Sequence, residues 1–154
     1  MKTKAVVLAL AVLFVGVAVC LAADGNMGTW KLNEAKSKIP AGATKNHTVV
    51  YAAAGDSIKV TVDGTSADGK PIHSEWTGKF DGKDYPVTGD ATSDMRSYKK
   101  VDDRTTAITV KKAGKVTATG KIVLSADGKS RTVTIETTDA NGKKTSGSAV
   151  YNKQ

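Results

Sequence analysis

Few side chains in this sequence are equipped for covalent chemistry. Its one thiol is Cys20, inside an apolar stretch, and its two imidazoles are His47 and His73. A nucleophile–histidine pair would need one of these two beside a serine or threonine, and neither lies in a Gly-x-Ser-x-Gly elbow. Alternation with Ile72 turns His73 outward, and His47 opens a strand beside a loop. Two histidines this far apart do not make a zinc site. Among the acids, Asp102-Asp103 sits in a turn flanked by Lys99, Lys100 and Arg104, while Glu75 and Glu136 are single and outward. No acid/base pair results. The expectation is a protein with no catalytic residue, no metal site and no cofactor, and therefore not an enzyme.

Binding is better served. Arg96 and Tyr98 are two residues apart, so on a strand they share a face, where a guanidinium and a phenol can hold a carboxylate or phosphate together. The competing arrangement turns that pair to the surface and puts Met95, Ser97 and Val101 inside. Trp76 and Phe80, on the apolar side of "PIHSEWTGKF", complete the candidate ligand-binding set of Trp76, Phe80, Arg96 and Tyr98. The small Gly78, Ala118, Gly120 and Ser148 fall on the expected interior, where they leave room for a ligand or let a narrow barrel pack closely.

The elements that must position these residues show a period of two. In "SIKVTVDG" Ile58, Val60 and Val62 alternate with polar residues; "KVTATGKIVL" does the same with Val116, Ala118, Gly120, Ile122 and Leu124, and "RTVTIETT" with Val133 and Ile135. Asp-Gly-Lys or Asn-Gly-Lys recurs at Gly69, Gly82, Gly128 and Gly142, each time between alternating segments. These are hairpin turns in which Asp or Asn tolerates positive φ and Gly adopts it freely. The oxygen-rich "DANG" at Asp139 lacks the further acids of a calcium loop and runs into Lys143 and Lys144. Strands are predicted near residues 28–33, 46–54, 57–65, 70–80, 83–87, 93–101, 104–112, 115–125, 129–138 and 143–151, with a loop from Glu34 to Lys45 over one barrel mouth. The fold class is all-β, an antiparallel up-and-down meander of about 8–10 strands closing into a barrel.

"MKTKAVVLALAVLFVGVAVCLAAD" places Lys2 and Lys4 before an uncharged run that ends in small residues ahead of Asp24, which predicts a secretory signal peptide over residues 1–23. The single domain is then 24–154, exported to the periplasm or outside the cell; the alternative is an uncleaved N-terminal anchor. Setting the signal aside removes two lysines and leaves a net charge of about +6 with no thiol. The lysines are spread over turns and outward positions rather than clustered, so no nucleic-acid partner is expected. Outward Lys59, Thr61, Glu75, Lys79, Thr132, Thr134 and Glu136 argue against a transmembrane barrel, which needs an apolar outer band. A monomer is expected.

"GTWKLN", Gly28 to Asn33, is a Gly-x-Trp at the start of the first strand. With the meander that follows, it resembles the calycins, the lipocalin and fatty-acid-binding-protein superfamily. The whole stretch from "GTWKLNEAKSK" to "AVYNK" is similar to small secreted bacterial proteins of unassigned function. The resemblance implies a lipocalin-like barrel with Trp30 plugging its closed end and a late basic residue over that tryptophan, to which no position is assigned. It also implies a small apolar or amphipathic ligand. Two departures stand out: residues 34–45 are too few for the helix pair of fatty-acid-binding proteins, and Ala149 stands where their Arg-x-Tyr would put arginine ahead of Tyr151. Trp30, Gly28, Gly69, Gly82, Gly128 and Gly142 are assigned structural roles. The rival to ligand binding is a packed barrel that works through its outer surface in the cell envelope.

Overall fold

An alternating segment has one face to bury, and a short turn forces the next segment to lie antiparallel beside it. The computed structural model describes residues 24–139 and 141–154. It contains ten strands: β1 (Gly28–Lys38), β2 (Lys45–Ala54), β3 (Ser57–Thr65), β4 (Pro71–Gly78), β5 (Tyr85–Thr88), β6 (Met95–Lys100), β7 (Thr105–Lys112), β8 (Lys115–Leu124), β9 (Ser130–Thr138) and β10 (Lys144–Lys153). Each pairs antiparallel with its successor, and β10 returns to β1 through Leu32↔Tyr151 and Asn33↔Val150, which closes the barrel. The described residues include no helix. The predicted signal segment lies outside them.

Directly opposed residues of an antiparallel pair point the same way, so the register traces the interior. Trp30 opposes Val49, which opposes Val62; Tyr51 opposes Val60, which opposes Trp76. Tyr98 opposes Ile108, Ile108 opposes Gly120, and Arg131 opposes both Tyr151 and Leu124. This inward set forms one continuous core of apolar and aromatic side chains.

Five expectations are corrected. Asp81-Gly82-Lys83 is not a two-residue hairpin turn: residues 79–84 separate β4 from β5, Asp81 bridges to Lys99, and the Gly82 N–H donates to the Tyr98 carbonyl. β1 continues past Asn33 to Lys38 across a register shift, so the connection over that barrel end is 39–44 rather than 34–45. A bulge between Val110 and Lys111 of β7 and the facing residues of β8 breaks the alternation, and Val116 is 50% exposed instead of inward. Ser148 opposes Thr134 on the outer face, and it is Ala149, opposite Val133, that points in. In the Asp/Asn-Gly turns only glycine takes positive φ, as at Gly128 (67°); Ala113 is the one described non-glycine residue to do so. The acid instead accepts backbone N–H groups. Asp127 Oδ1 takes Lys129 N at 3.0 Å and the Ser125 hydroxyl at 2.6 Å, while Asp139 Oδ1 takes Asn141 N and Lys143 N at 2.9 Å each. The two "SADGK" stretches, at 66–70 and 125–129, are thus turns that close on themselves.

Gly120 lies where β8 and β9 approach, and a Cβ there would fall on the Thr134 carbonyl oxygen. Gly120→Val is therefore expected to cost about 1–3 kcal/mol. Gly128→Val, at a position with open space and positive φ, is expected to cost about 1–2 kcal/mol through backbone strain alone. Urea unfolding reads both, and an unchanged midpoint for Gly120→Val would contradict the β8–β9 register.

Candidate functional site

One end of the barrel is closed. Residues 24–27 cross it: the Trp30 indole N–H donates to the Asn26 carbonyl at 2.7 Å, and the Asn26 side-chain amide donates to Thr106 Oγ1 on β7 at 3.2 Å. Above this plug lies Arg131, 2% exposed, with its guanidinium carbon 4.6 Å from the Trp30 ring centroid, 4.7 Å from Tyr51 and 5.2 Å from Tyr151. A basic side chain thus lies over Trp30, at a position to which the sequence analysis assigns none. A signal was present: Arg131 precedes Val133 and Ile135 at the same period, which sets it on their inward face. Its Nε and Nη1 have no hydrogen-bond partner among the described residues, so the three rings do most of the work of holding the charge. Each such contact is worth about 2 kcal/mol when desolvated. Burial pushes the Tyr151 phenol up to about 12, and it drives Tyr51 upward further still.

Beside this stack stands the predicted ligand-binding set, and three of its members meet in one cluster. Trp76 and Tyr98 pack edge to face at 4.7 Å, Phe80 lies 5.3 Å from Tyr98 and 6.2 Å from Trp76, and Phe80 reaches the Tyr51 ring at 6.3 Å. Gly78 makes this possible, since a Cβ there would collide with both Tyr85 and Trp76. Arg96 joins them, since the register opposes it to inward Val110 and Tyr85. The Trp76 indole N–H donates to the Arg96 carbonyl at 2.9 Å. Of the competing set, Met95 and Val101 are 38% and 60% exposed, whereas Ser97 is buried at 7%, opposite Thr109.

The Arg96 side chain is 13% exposed and its Nη2 lies 3.3 Å from Asp90 Oδ2 in the β5–β6 loop. Burial works against its charge, but Tyr98, Asp90 and Tyr51 outweigh that and hold its pKa above the usual value. Burial likewise works to raise Asp90; hydrogen bonds from Ser93 and Thr92, with the charge of Arg96, bring it below the ordinary carboxylate range.

Farther from the plug, the inward wall changes character. Leu32, Val110, Val133, Ile135 and Ala149 face the interior by register yet stay only partly buried. Elsewhere, among the described residues, the outer surface carries depressions. A depression of about 350 Å³ on the β8–β9 wall is lined by Thr119, Gly120, Lys121, Thr134 and Glu136, and one of about 110 Å³ by Glu34, Ser37, Ile39 and Lys45. Neither touches the aromatic cluster. His73 is on the outside, where Asp63 at 2.6 Å raises its pKa, next to the Glu75–Lys59 pair; His47 bonds Thr65 Oγ1 at 2.7 Å. Of the residues assigned structural roles, Trp30 is wholly buried, and Gly28, Gly69, Gly82, Gly128 and Gly142 all occupy positive-φ positions.

No protein-family model matches the chain, and no curated protein matches it. Solved structures do. One described as "EF1p2_mFAP2b bound to DFHBI" aligns over 86% of this chain and 97% of its own at 14% identity and a TM-score of 0.51. A redesigned beta barrel, mFAP1, bound to DFHBI, aligns over 86% and 98% at 17% identity with a TM-score of 0.48. The first likeness shows the fold, an all-β closed barrel, at an identity that reaches no further.

Two outcomes follow from the closed end. Arg131→Lys keeps the charge but loses the planar stack and is expected to lower stability by about 2 kcal/mol in urea; wild-type stability would show that charge rather than stacking matters. Because the Tyr151 pKa is raised in the folded state, its contribution is complete below the usual value near 10 and is lost as pH rises through about 12. Absorbance of phenolate, followed with far-ultraviolet dichroism, should show unfolding setting in over that window. Ionisation of every tyrosine near pH 10 with the fold intact would contradict the burial.

Proposed function

We propose that this protein binds a small apolar or amphipathic molecule non-covalently, in the end of the barrel away from the plug. The observation that carries this reading is the inward wall of Leu32, Val110, Val133, Ile135 and Ala149, which is apolar and incompletely covered. An apolar wall inside a closed barrel loses free energy to water, at about 25 cal/mol per Å², until something covers it. A barrel of the same fold has been solved bound to DFHBI, which gives the reading a precedent. The ligand would rest on the aromatic cluster of Trp76, Phe80 and Tyr98, with Arg96 supplying the polar contact that fixes its orientation. Non-covalent retention is sufficient, and neither histidine faces this space.

We further infer that the protein is exported and acts as a monomer. Lys2, Lys4 and the uncharged run to Ala23 support export. Closure of β1 on β10 leaves no strand edge to recruit a second copy. The second reading, a packed barrel working through its outer face, draws support from the contacting aromatic rings and from the two concavities, both outside the aromatic cluster.

Titration with the neutral fluorophore N-phenyl-1-naphthylamine separates the two. Ligand binding inside the barrel predicts enhanced emission with the wild-type protein and affinity at least about tenfold weaker in Ala149→Phe, whose ring takes the space beside Val133. Equal enhancement in both proteins, or none in either, would favour the packed barrel.

A further inference from the structure

We propose that Asp90 occupies an anion seat on Arg96 inside the barrel and gives it up to the carboxylate of a planar aromatic ligand. This rests on the binding function proposed above and specifies which chemistry that site selects.

Arg96 brings unspent polar capacity to the aromatic cluster. A guanidinium carries five N–H donors in a fork that fits a carboxylate bidentately, yet here one Nη2 contact to Asp90 serves it, at 3.3 Å, and its buried Nε has no partner among the described residues. Charge-assisted bonds normally close to about 2.7–2.9 Å. The seat is therefore filled by a poorly fitting occupant.

Asp90 is well provided for without Arg96. Its Oδ1 accepts Thr92 N at 2.8 Å and Thr92 Oγ1 at 2.7 Å, and its Oδ2 accepts Ser93 Oγ at 2.6 Å. Releasing the guanidinium leaves three of its four hydrogen bonds in place, which makes the exchange inexpensive. The loop that carries it follows β5, a strand of four residues that registers with each neighbour through two pairs only. Asp94, two residues before Arg96, accepts the Ala113 N–H through Oδ2 at 2.8 Å, while its buried Oδ1 has no partner among the described residues.

The surroundings determine the rest of the ligand. Tyr98 lies two residues along the same face, Trp76 packs on Tyr98 and bonds the Arg96 carbonyl, and partly buried Val110 stands directly across on β7. A flat ring joined to the carboxylate would meet an aromatic edge on one side and the aliphatic wall on the other, contacts for which planar rings are suited.

Two probes of the same shape test this: naphthalene-2-carboxylate and naphthalene-2-carboxamide, titrated into the purified protein and into Arg96→Gln and Asp90→Asn. The carboxylate is expected to bind the wild-type protein about tenfold tighter than the carboxamide, and Arg96→Gln to bring the two within about threefold of each other. Asp90→Asn, which removes the competitor, should tighten carboxylate binding about three- to tenfold and leave the carboxamide unchanged. Equal binding of both probes to the wild-type protein would overturn the anion seat while sparing the binding function. Weaker carboxylate binding by Asp90→Asn would overturn the exchange, and binding of neither probe would overturn both proposals.

Discussion

A single buried cation ties the two ends of the chain together. Arg131 on β9 lies against Trp30 on β1, Tyr51 on β2 and Tyr151 on β10, so its stack bridges the one junction of the barrel that short turns cannot make. Every other strand pair is local in sequence and closes a small loop; pairing β1 with β10 closes the whole domain and carries the largest entropic cost. Trp30 is where the closing contacts converge. Its ring lies under the guanidinium and near Lys153 Nζ, its N–H is held by the plug, and its strand pairs on both sides.

That closed end creates an asymmetry on which the functional reading depends. Large rings and Arg131 fill the barrel near the plug, where Trp30, Tyr51, Leu124 and Tyr151 are buried, although Met27, Ile58 and Phe80 are only partly so. Toward the other end the inward positions become aliphatic or small, as at Val133, Ile135 and Ala149, and their cover thins. Between the two zones lies Arg96, an inward charge whose partner is an acid of the β5–β6 loop rather than a stack of rings. One arginine thus serves the architecture and the other is available for recognition. Their environments separate those roles: three aromatic faces immobilise the first, and a single long contact leaves the second underused.

Period-two alternation made most of this legible in the sequence. It placed Val60, Trp76, Ile108, Ile122 and Val133 inside, and the Gly-containing turns set the strand order, because a two-to-five-residue link leaves antiparallel neighbours as the only choice. Alternation failed where the backbone departs from regular pleating. The β7–β8 bulge reverses the expectation for Val116, and the register shift in β1 hides the strand's continuation to Lys38. It also fell silent where charge was inward. Hydropathy assigns arginine to the surface, so it misplaces Arg131 although the spacing from Val133 is inward, and the direction of Arg96 follows from its pairing with Val110. Which acid would meet Arg96 depends on how the β5–β6 loop folds back, a tertiary contact without a local signature.

The central claim is that the partly covered inward wall away from the plug is occupied by a ligand. Native mass spectrometry of the protein purified from its own source, before and after organic extraction, tests that most directly. The account predicts a reproducible added mass that extraction removes and that an extract of the same cells restores. A single unliganded mass that no extract changes would contradict it, and would leave a packed barrel whose work is done on its outer face.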